Sequence, residues 1–297
     1  MATGMKKLSL QVLLLGFVLA YAALVLGVTK KLLFPPWYHP GIAGSVAGSK
    51  ILQPCSSYQK RVYIYCGNPR SDLNFDFQEA HEEVIDRERI MGFDGWWIEA
   101  GAGSGAVTSN MASNANIPIK GAVILIPGAG ADRRAMMKHV TYLKPAGYHT
   151  LLMDPLNHGL APNDGHGLSY GYWEQRSIIR AHKWIRREKK FKGPIYWMGT
   201  SQGAVAALMA DSTAAVEDRP VAIVAENPSF SLMRAMHDYP QAKSIPSMIL
   251  AQAVVLMNFW HGAHLDEAID ATNYAPLIKD PALVIHGEND QIGRAHV

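Results

Sequence analysis

The residues best equipped to do chemistry in this chain stand in a row, Gly199-Thr200-Ser201-Gln202-Gly203. A serine raised on a tight strand-to-helix turn is held in strained backbone geometry. Its neighbours two positions away must then be small, and Gly199 and Gly203 meet that need. A hydroxyl presented in this way can attack a carbonyl once a base removes its proton. The helix expected to begin at Gln202 aims free N–H groups and the positive end of its dipole at negative charge forming beside Ser201. Five letters alone are a weak signal, so the flanks decide. An apolar run, Ile195–Met198, precedes the turn as a strand, and the small residues of Gln202–Asp211 follow it as a helix.

The elements that must position this serine are legible as short apolar runs alternating with helical stretches. Ala122–Ile126, His149–Met153, Ile195–Met198, Val221–Ala225 and Ala282–His286 read as strands. Helices are expected at about Arg133–Ala146, Gly171–Glu188 and Gln202–Asp211. That alternation means an α/β fold, a mostly parallel sheet with helices on both faces. Upstream, Arg61–Cys66 and Asp72–Phe77 have strand-like content, and Glu82–Glu88 with Gly92–Glu99 reads as a hairpin with Asp94-Gly95 at its turn. Ala100–Asn116, rich in Gly, Ala, Ser and Asn, reads as a surface loop. Residues 230–275 exceed one crossover, and their methionines and aromatics suit a lid-like insertion over a pocket as well as an ordinary core-facing stripe.

Several segments match a known pattern in order. Asp94-Gly95-Trp96-Trp97 falls where the domain opens, Ile126-Pro127-Gly128-Ala129-Gly130 after the third strand, and Asp154-Pro155-Leu156-Asn157-His158-Gly159 after the fourth. Ala225-Glu226-Asn227-Pro228 and Val284-Ile285-His286-Gly287-Glu288-Asn289-Asp290 close later strands. From about Glu82 to Asp290, about 70% of the chain, the sequence resembles the α/β-hydrolase superfamily, particularly single-pass, membrane-anchored serine hydrolases of esterase or thioesterase type. The resemblance implies an α/β-hydrolase fold with Ser201 as nucleophile and Asp290 as the acid that orients a histidine, with Glu288 as the other candidate. It also implies an oxyanion hole made by the backbone N–H groups of Ala129 and Gln202. Pro127-Gly128 stands where the family usually has His-Gly. The donor is main-chain, so this departure alters loop packing without removing the hole. No cofactor is implied.

The histidine of such a triad arrives on a loop roughly 25–30 residues after the acid. Only seven residues follow Asp290. His296 is too close to the acid, and His158, His166 and His286 suit structural roles. Ile292-Gly293-Arg294-Ala295-His296-Val297 is what ATC-GGA-AGA-GCA-CAC-GTC encodes, a string that matches a widely used sequencing-library adapter. The expectation is therefore a chain truncated near Gln291, with 291–297 non-native, the final strand and helix missing, and no activity as printed. A serine peptidase of the same fold, or a non-catalytic binding or scaffold protein that keeps it, are the alternatives.

The rest of the composition sets bounds. A net charge of +3 over 297 residues, with no dense Lys/Arg block, gives no footprint for nucleic acid. The two cysteines, Cys55 and Cys66, have no metal-ligand spacing; they are free thiols in the cytosol or a local disulfide beyond it. Leu8–Val28 is a 21-residue run without Asp, Glu, Lys or Arg, flanked by lysine pairs. It is long enough to span a bilayer, and the apolar residues after Ala20-Tyr21-Ala22 favour an uncleaved anchor over a signal peptide. Residues 1–30 are thus expected as a single transmembrane anchor, 31–71 as a linker or extension, and 72–290 as the catalytic domain on the non-cytoplasmic side. The partners expected are the membrane and a small-molecule or lipid-like acyl substrate, with neither metal nor nucleic acid.

Overall fold

The computed structural model describes residues 2–35, 52, 54–86, 88–101, 117–229, 231–238 and 244–287. A long helix, α1 (Ala2–Leu33), is followed by two helical turns, α2 (Gln59–Val62) and α3 (Pro69–Leu73). The sheet holds β1 (Gln78–Asp86), β2 (Arg89–Ile98), β3 (Gly121–Ile126), β4 (Tyr148–Pro155), β5 (Ile195–Thr200), β6 (Ile223–Glu226) and β7 (Ala282–Ile285). Between the strands lie α4 (Met137–Leu143), α5 (Glu174–Glu188) and α6 (Gln202–Thr213). The crossover from β6 to β7 carries α7 (Leu232–Asp238), α8 (Ser247–His261), α9 (Leu265–Ala268) and α10 (Ala271–Tyr274).

The seven strands lie in the order β1-β2-β4-β3-β5-β6-β7. β1, β2 and β4 pair antiparallel, and β4, β3, β5, β6 and β7 run parallel. Alternation along the strands feeds two cores, as the period-two geometry of a strand requires. Trp97, Ile124, Ile126, Leu151, Met153 and Trp197 face α5 and α6, while Trp96, Ile98, Val123, Leu125, Leu152 and Met198 face α4. The chain moves from β3 to β4 on one side and then to β5 on the other. The carboxyl ends of β3 and β5 therefore flank a topological switch point, where open α/β sheets bind their ligands.

The upstream expectations need correction. Arg61–Cys66 and Asp72–Phe77 form no strand; helical turns α2 and α3 occupy or adjoin them. Asn68 caps α3 by accepting from the N–H groups of Arg70 and Ser71, and Pro69 fits its first turn, a local device that outweighs strand propensity. The hairpin exists, but its strands close on the Asp86–Arg89 pair. Asp94 and Gly95 lie mid-strand opposite His81 and Ala80, because the Asp94 carboxylate is recruited to a buried partner described below. Residues 102–116 of the expected surface loop and 36–50 of the linker lie outside the described residues. The described part of 52–71 is fastened to the domain: Cys55 and Cys66 form a disulfide, and Gln59 donates to Asp132 at 3.2 Å.

Within α1, Gln11–Leu33 contains an 18-residue stretch of mean hydropathy 2.5 and is long and apolar enough to cross a membrane. Its C-terminal half is not free-standing. Val25 and Val28 pack on Ile249, Leu250 and Ala253 of α8, and the carbonyls of Leu32 and Leu33 accept from the Tyr170 hydroxyl (2.7 Å) and the Leu168 N–H (3.0 Å).

Candidate active site

Ser201 joins β5 to α6 at φ 55° and ψ −121°, a positive φ that a residue with a Cβ rarely adopts. Holding it there costs about 1–3 kcal/mol, so the surroundings must impose it. They do. The Ser201 N–H donates to the Glu226 carbonyl at 2.8 Å, and the Ser201 carbonyl accepts from Ala204 and Val205 at the start of α6. The two glycines are sterically obligatory. A Cβ on Gly199 would lie 2.3 Å from the Gly203 carbonyl oxygen, and one on Gly203 would lie 2.4 Å from that of Pro127. Gly203 thus does more than permit the turn, for it lets α6 press against the chain leaving β3. That brings the expected oxyanion loop to the serine.

In that loop, a Cβ built on Gly128 would stand 3.3 Å from the Ser201 Cβ. The Gly130 N–H is engaged, donating to His158 Nε2 at 3.1 Å. Nε2 is therefore an acceptor, and Nδ1 carries the proton and donates to the Leu156 carbonyl at 2.8 Å. His158, buried, is a brace between two loops; its ring nitrogens are committed away from Ser201. Neither the Ala129 nor the Gln202 N–H has a hydrogen-bond partner among the described residues, and both residues line the cavity beside Ser201.

Behind the loop lies a buried ionic cluster. The Arg133 side chain is fully buried, and Nη2 donates to Asp94 and Asp154, each at 2.6 Å. Asp154 also accepts from Arg133 Nε (2.9 Å) and from the N–H groups of Arg133 (2.6 Å) and Leu160 (2.8 Å). Burial pushes the Asp154 carboxyl up and the guanidinium opposes it. With donors on both oxygens, the ionised form is the one this geometry serves. Arg133 in turn is held protonated by the two carboxylates. The cluster pins the loop after β3 to the turn after β4. Next along, Asp132 caps the helical turn Arg133–Met136, accepts from Gln59, and donates its N–H to the Tyr63 hydroxyl at 2.9 Å. Burial raises that phenol well above the usual tyrosine range.

Ser201 opens into a cavity of ≈ 380 Å³. Its walls come from the end of α1 (Lys31, Leu32), the disulfide-closed segment (Tyr58, Gln59, Val62, Tyr63), the loop Gly128–Ala131 and the crossover helices (Leu232, Met236). The lid-like segment expected at 230–275 therefore does reach the cavity. The walls from the extension were not visible in the sequence, where no motif ties Gln59 to Asp132. On the α4 side of the elbow, Glu226 accepts from the Thr200 hydroxyl at 2.8 Å and stands 3.4 Å from His139 Nε2. Burial pushes His139 down to about 4, so it is neutral near pH 7. Asp290 and Glu288 lie outside the described residues. The strand that leads to them is in place: β7 pairs with β6, and the Gly287 N–H donates to Asn227 Oδ1 at 2.9 Å. His166 lies against Trp260, and His286 follows β7.

No family model matches the chain, and no curated protein matches it. Among solved structures, the Pyrococcus furiosus esterase Pf2001 is similar in two crystal forms. One is 21% identical with a TM-score of 0.56, over 84% of this chain and 81% of that one. The other is 24% identical with a TM-score of 0.54, over 77% and 78%. At such identities the likeness speaks for the fold alone. Taken with the mostly parallel seven-stranded sheet, it gives this chain the α/β-hydrolase fold.

Proposed function

We propose that the protein is a serine hydrolase that cleaves carboxylic ester or thioester bonds through an acyl-enzyme on Ser201. The observation that carries this reading is the strained Ser201 backbone at the cavity, enforced by two glycines that tolerate no Cβ. Strain of this kind persists where it serves a function, and presenting a nucleophile is the function it fits.

In the proposed reaction Ser201 Oγ attacks the acyl carbon while a histidine base accepts its proton. The carbonyl oxygen becomes an oxyanion held by the Ala129 and Gln202 N–H groups. Collapse expels the alcohol or thiol, which takes that proton, and water then repeats the sequence to release the acid and free Ser201. Asp290 is assigned the role of orienting the base. The chemistry calls for no cofactor. Leu32, Val62, Met136, Leu232 and Met236 give the cavity an apolar lining that suits an acyl chain. α1 is assigned as a membrane anchor. The Cys55–Cys66 disulfide supports a domain on the non-cytoplasmic side, since such bonds persist in oxidising compartments.

The test is turnover of p-nitrophenyl esters by the full-length protein with and without a fluorophosphonate. Hydrolysis that falls to background as one equivalent of reagent is incorporated is the expected result. Hydrolysis untouched by the reagent, or none at all, overturns the proposal; the latter outcome favours a binding protein.

A further inference from the structure

Helix α8 presents a surface that the proposed chemistry does not use. Over Ser247–His261 it contains no Asp, Glu, Lys or Arg. Three of its polar side chains have a partner. Gln252 Oε1 accepts from the Tyr21 hydroxyl of α1 at 2.8 Å, Asn258 bridges Asp266 (2.7 Å) and the Leu265 N–H (2.8 Å), and His261 Nε2 reaches the Leu168 carbonyl at 3.1 Å. Beside the exposed Ser247 and Gln252, the outward side is apolar: Met248, Val255 and Phe259, exposed by 63%, 62% and 87%. These positions follow a helical repeat on one side of α8. The opposite side is seated on α1 through Ile249, Leu250 and Ala253.

The occupant of this stripe follows from its neighbour. α8 lies along the stretch of α1 from Tyr21 to Leu32, inside the span that is long and apolar enough to cross a membrane. On α1, Leu24 and Leu26, to either side of its contact with α8, are exposed by 51% and 59%. A helix that turns an uncharged, largely apolar stripe outward beside a helix able to span a bilayer suits solvation by lipid. We infer that α8 is a second membrane contact, inserting Met248, Val255 and Phe259 into the bilayer alongside α1. Both helices end on one loop, where Leu168 donates to Leu33 and Trp260 Nε1 to the His166 carbonyl at 3.1 Å. Because Lys31 and Leu32 also line the Ser201 cavity, the paired helices bring that cavity to the membrane surface. Resting on the hydrolase reading, this makes a lipid-borne acyl ester the substrate class.

Single cysteines at Leu24, Val255, Phe259 and Val216 test this, each alkylated with acrylodan in the full-length protein. The native cysteines are bonded to each other, which leaves the new thiol as the site of labelling. Val216, 74% exposed, precedes the amino end of β6, away from the carboxyl ends that flank the cavity, and serves as the soluble reference. In phosphatidylcholine vesicles carrying doxyl-labelled lipid, loss of emission is expected at 24, 255 and 259, and none at 216. Quenching at 24 alone overturns the inference in favour of a one-helix anchor. Quenching nowhere, or equally at 216, also overturns it. The readout needs no turnover, so its failure is distinct from a failure of the Ser201 assignment.

Discussion

Gly203→Ala will destabilise the protein by about 3 kcal/mol or more and will strip Ser201 of its reactivity toward fluorophosphonates. The added Cβ would meet the carbonyl oxygens of Pro127 and Ile126 at 2.4 and 2.5 Å and the Ile126 carbonyl carbon at 2.9 Å. All three are backbone atoms at the exit of β3, so no side chain can swing aside. Relief comes only by backing α6 away from β3, which separates the Gln202 N–H from the Ala129 loop. Stability and reactivity should therefore fall together. Gly287 is the matched control: nothing lies within 4 Å of a Cβ there, and Gly287→Ala should change stability by less than about 0.5 kcal/mol. Urea denaturation followed by tryptophan fluorescence measures both. A Gly203→Ala protein as stable and as reactive as its parent would show that α6 does not press on the β3 exit.

The second large effect is at Arg133. Arg133→Met leaves the Asp94 and Asp154 carboxylates in the interior without their shared cation, and loss of one partner from a buried ion pair costs about 3–5 kcal/mol. The variant should also acquire a pH dependence of defined sign. Burial raises the Asp154 carboxyl, and without the guanidinium nothing of comparable strength opposes it. A carboxyl whose folded-state pKa exceeds its unfolded value favours folding at low pH, and that contribution is lost as pH rises through the folded value. The stability gap between parent and variant should thus narrow toward acid pH and be widest at neutrality. Arg187→Met is the surface counterpart. The Arg187 pair with Glu82 is solvent-exposed on the arginine side, and its removal should cost at most about 1 kcal/mol. Equal losses at the two positions would contradict the structural role given to Arg133.

What the sequence disclosed and what it withheld divide along the range of the interactions involved. The turn at Ser201 was legible because its strain is relieved locally, by glycines two residues away, and because strand and helix flank it directly. The parallel strands were legible for a similar reason, since strands buried on both faces read as unbroken apolar runs. Asp94-Gly95 misled because its local chemistry is that of a turn, whereas its structural role is set by Arg133, distant in sequence. The strand-like reading of Asp72–Phe77 before it fails at one capping asparagine, Asn68. The cavity wall built from Tyr58–Tyr63 was invisible, because Gln59 meets Asp132 across 73 residues with no periodic pattern to announce it. The seat of α8 on α1 was equally hidden. An uncharged helix reads the same whether it enters a core or a membrane, and only the packing of Ile249, Leu250 and Ala253 on α1 separates its two faces.

The most direct measurement on Ser201 is intact and peptide mass spectrometry of the full-length protein after treatment with a fluorophosphonate, beside Ser201→Ala. The account predicts one phosphonyl adduct per chain, located on the peptide that contains Ser201, and no adduct in Ser201→Ala. An adduct on another residue, or equal labelling of Ser201→Ala, would contradict it.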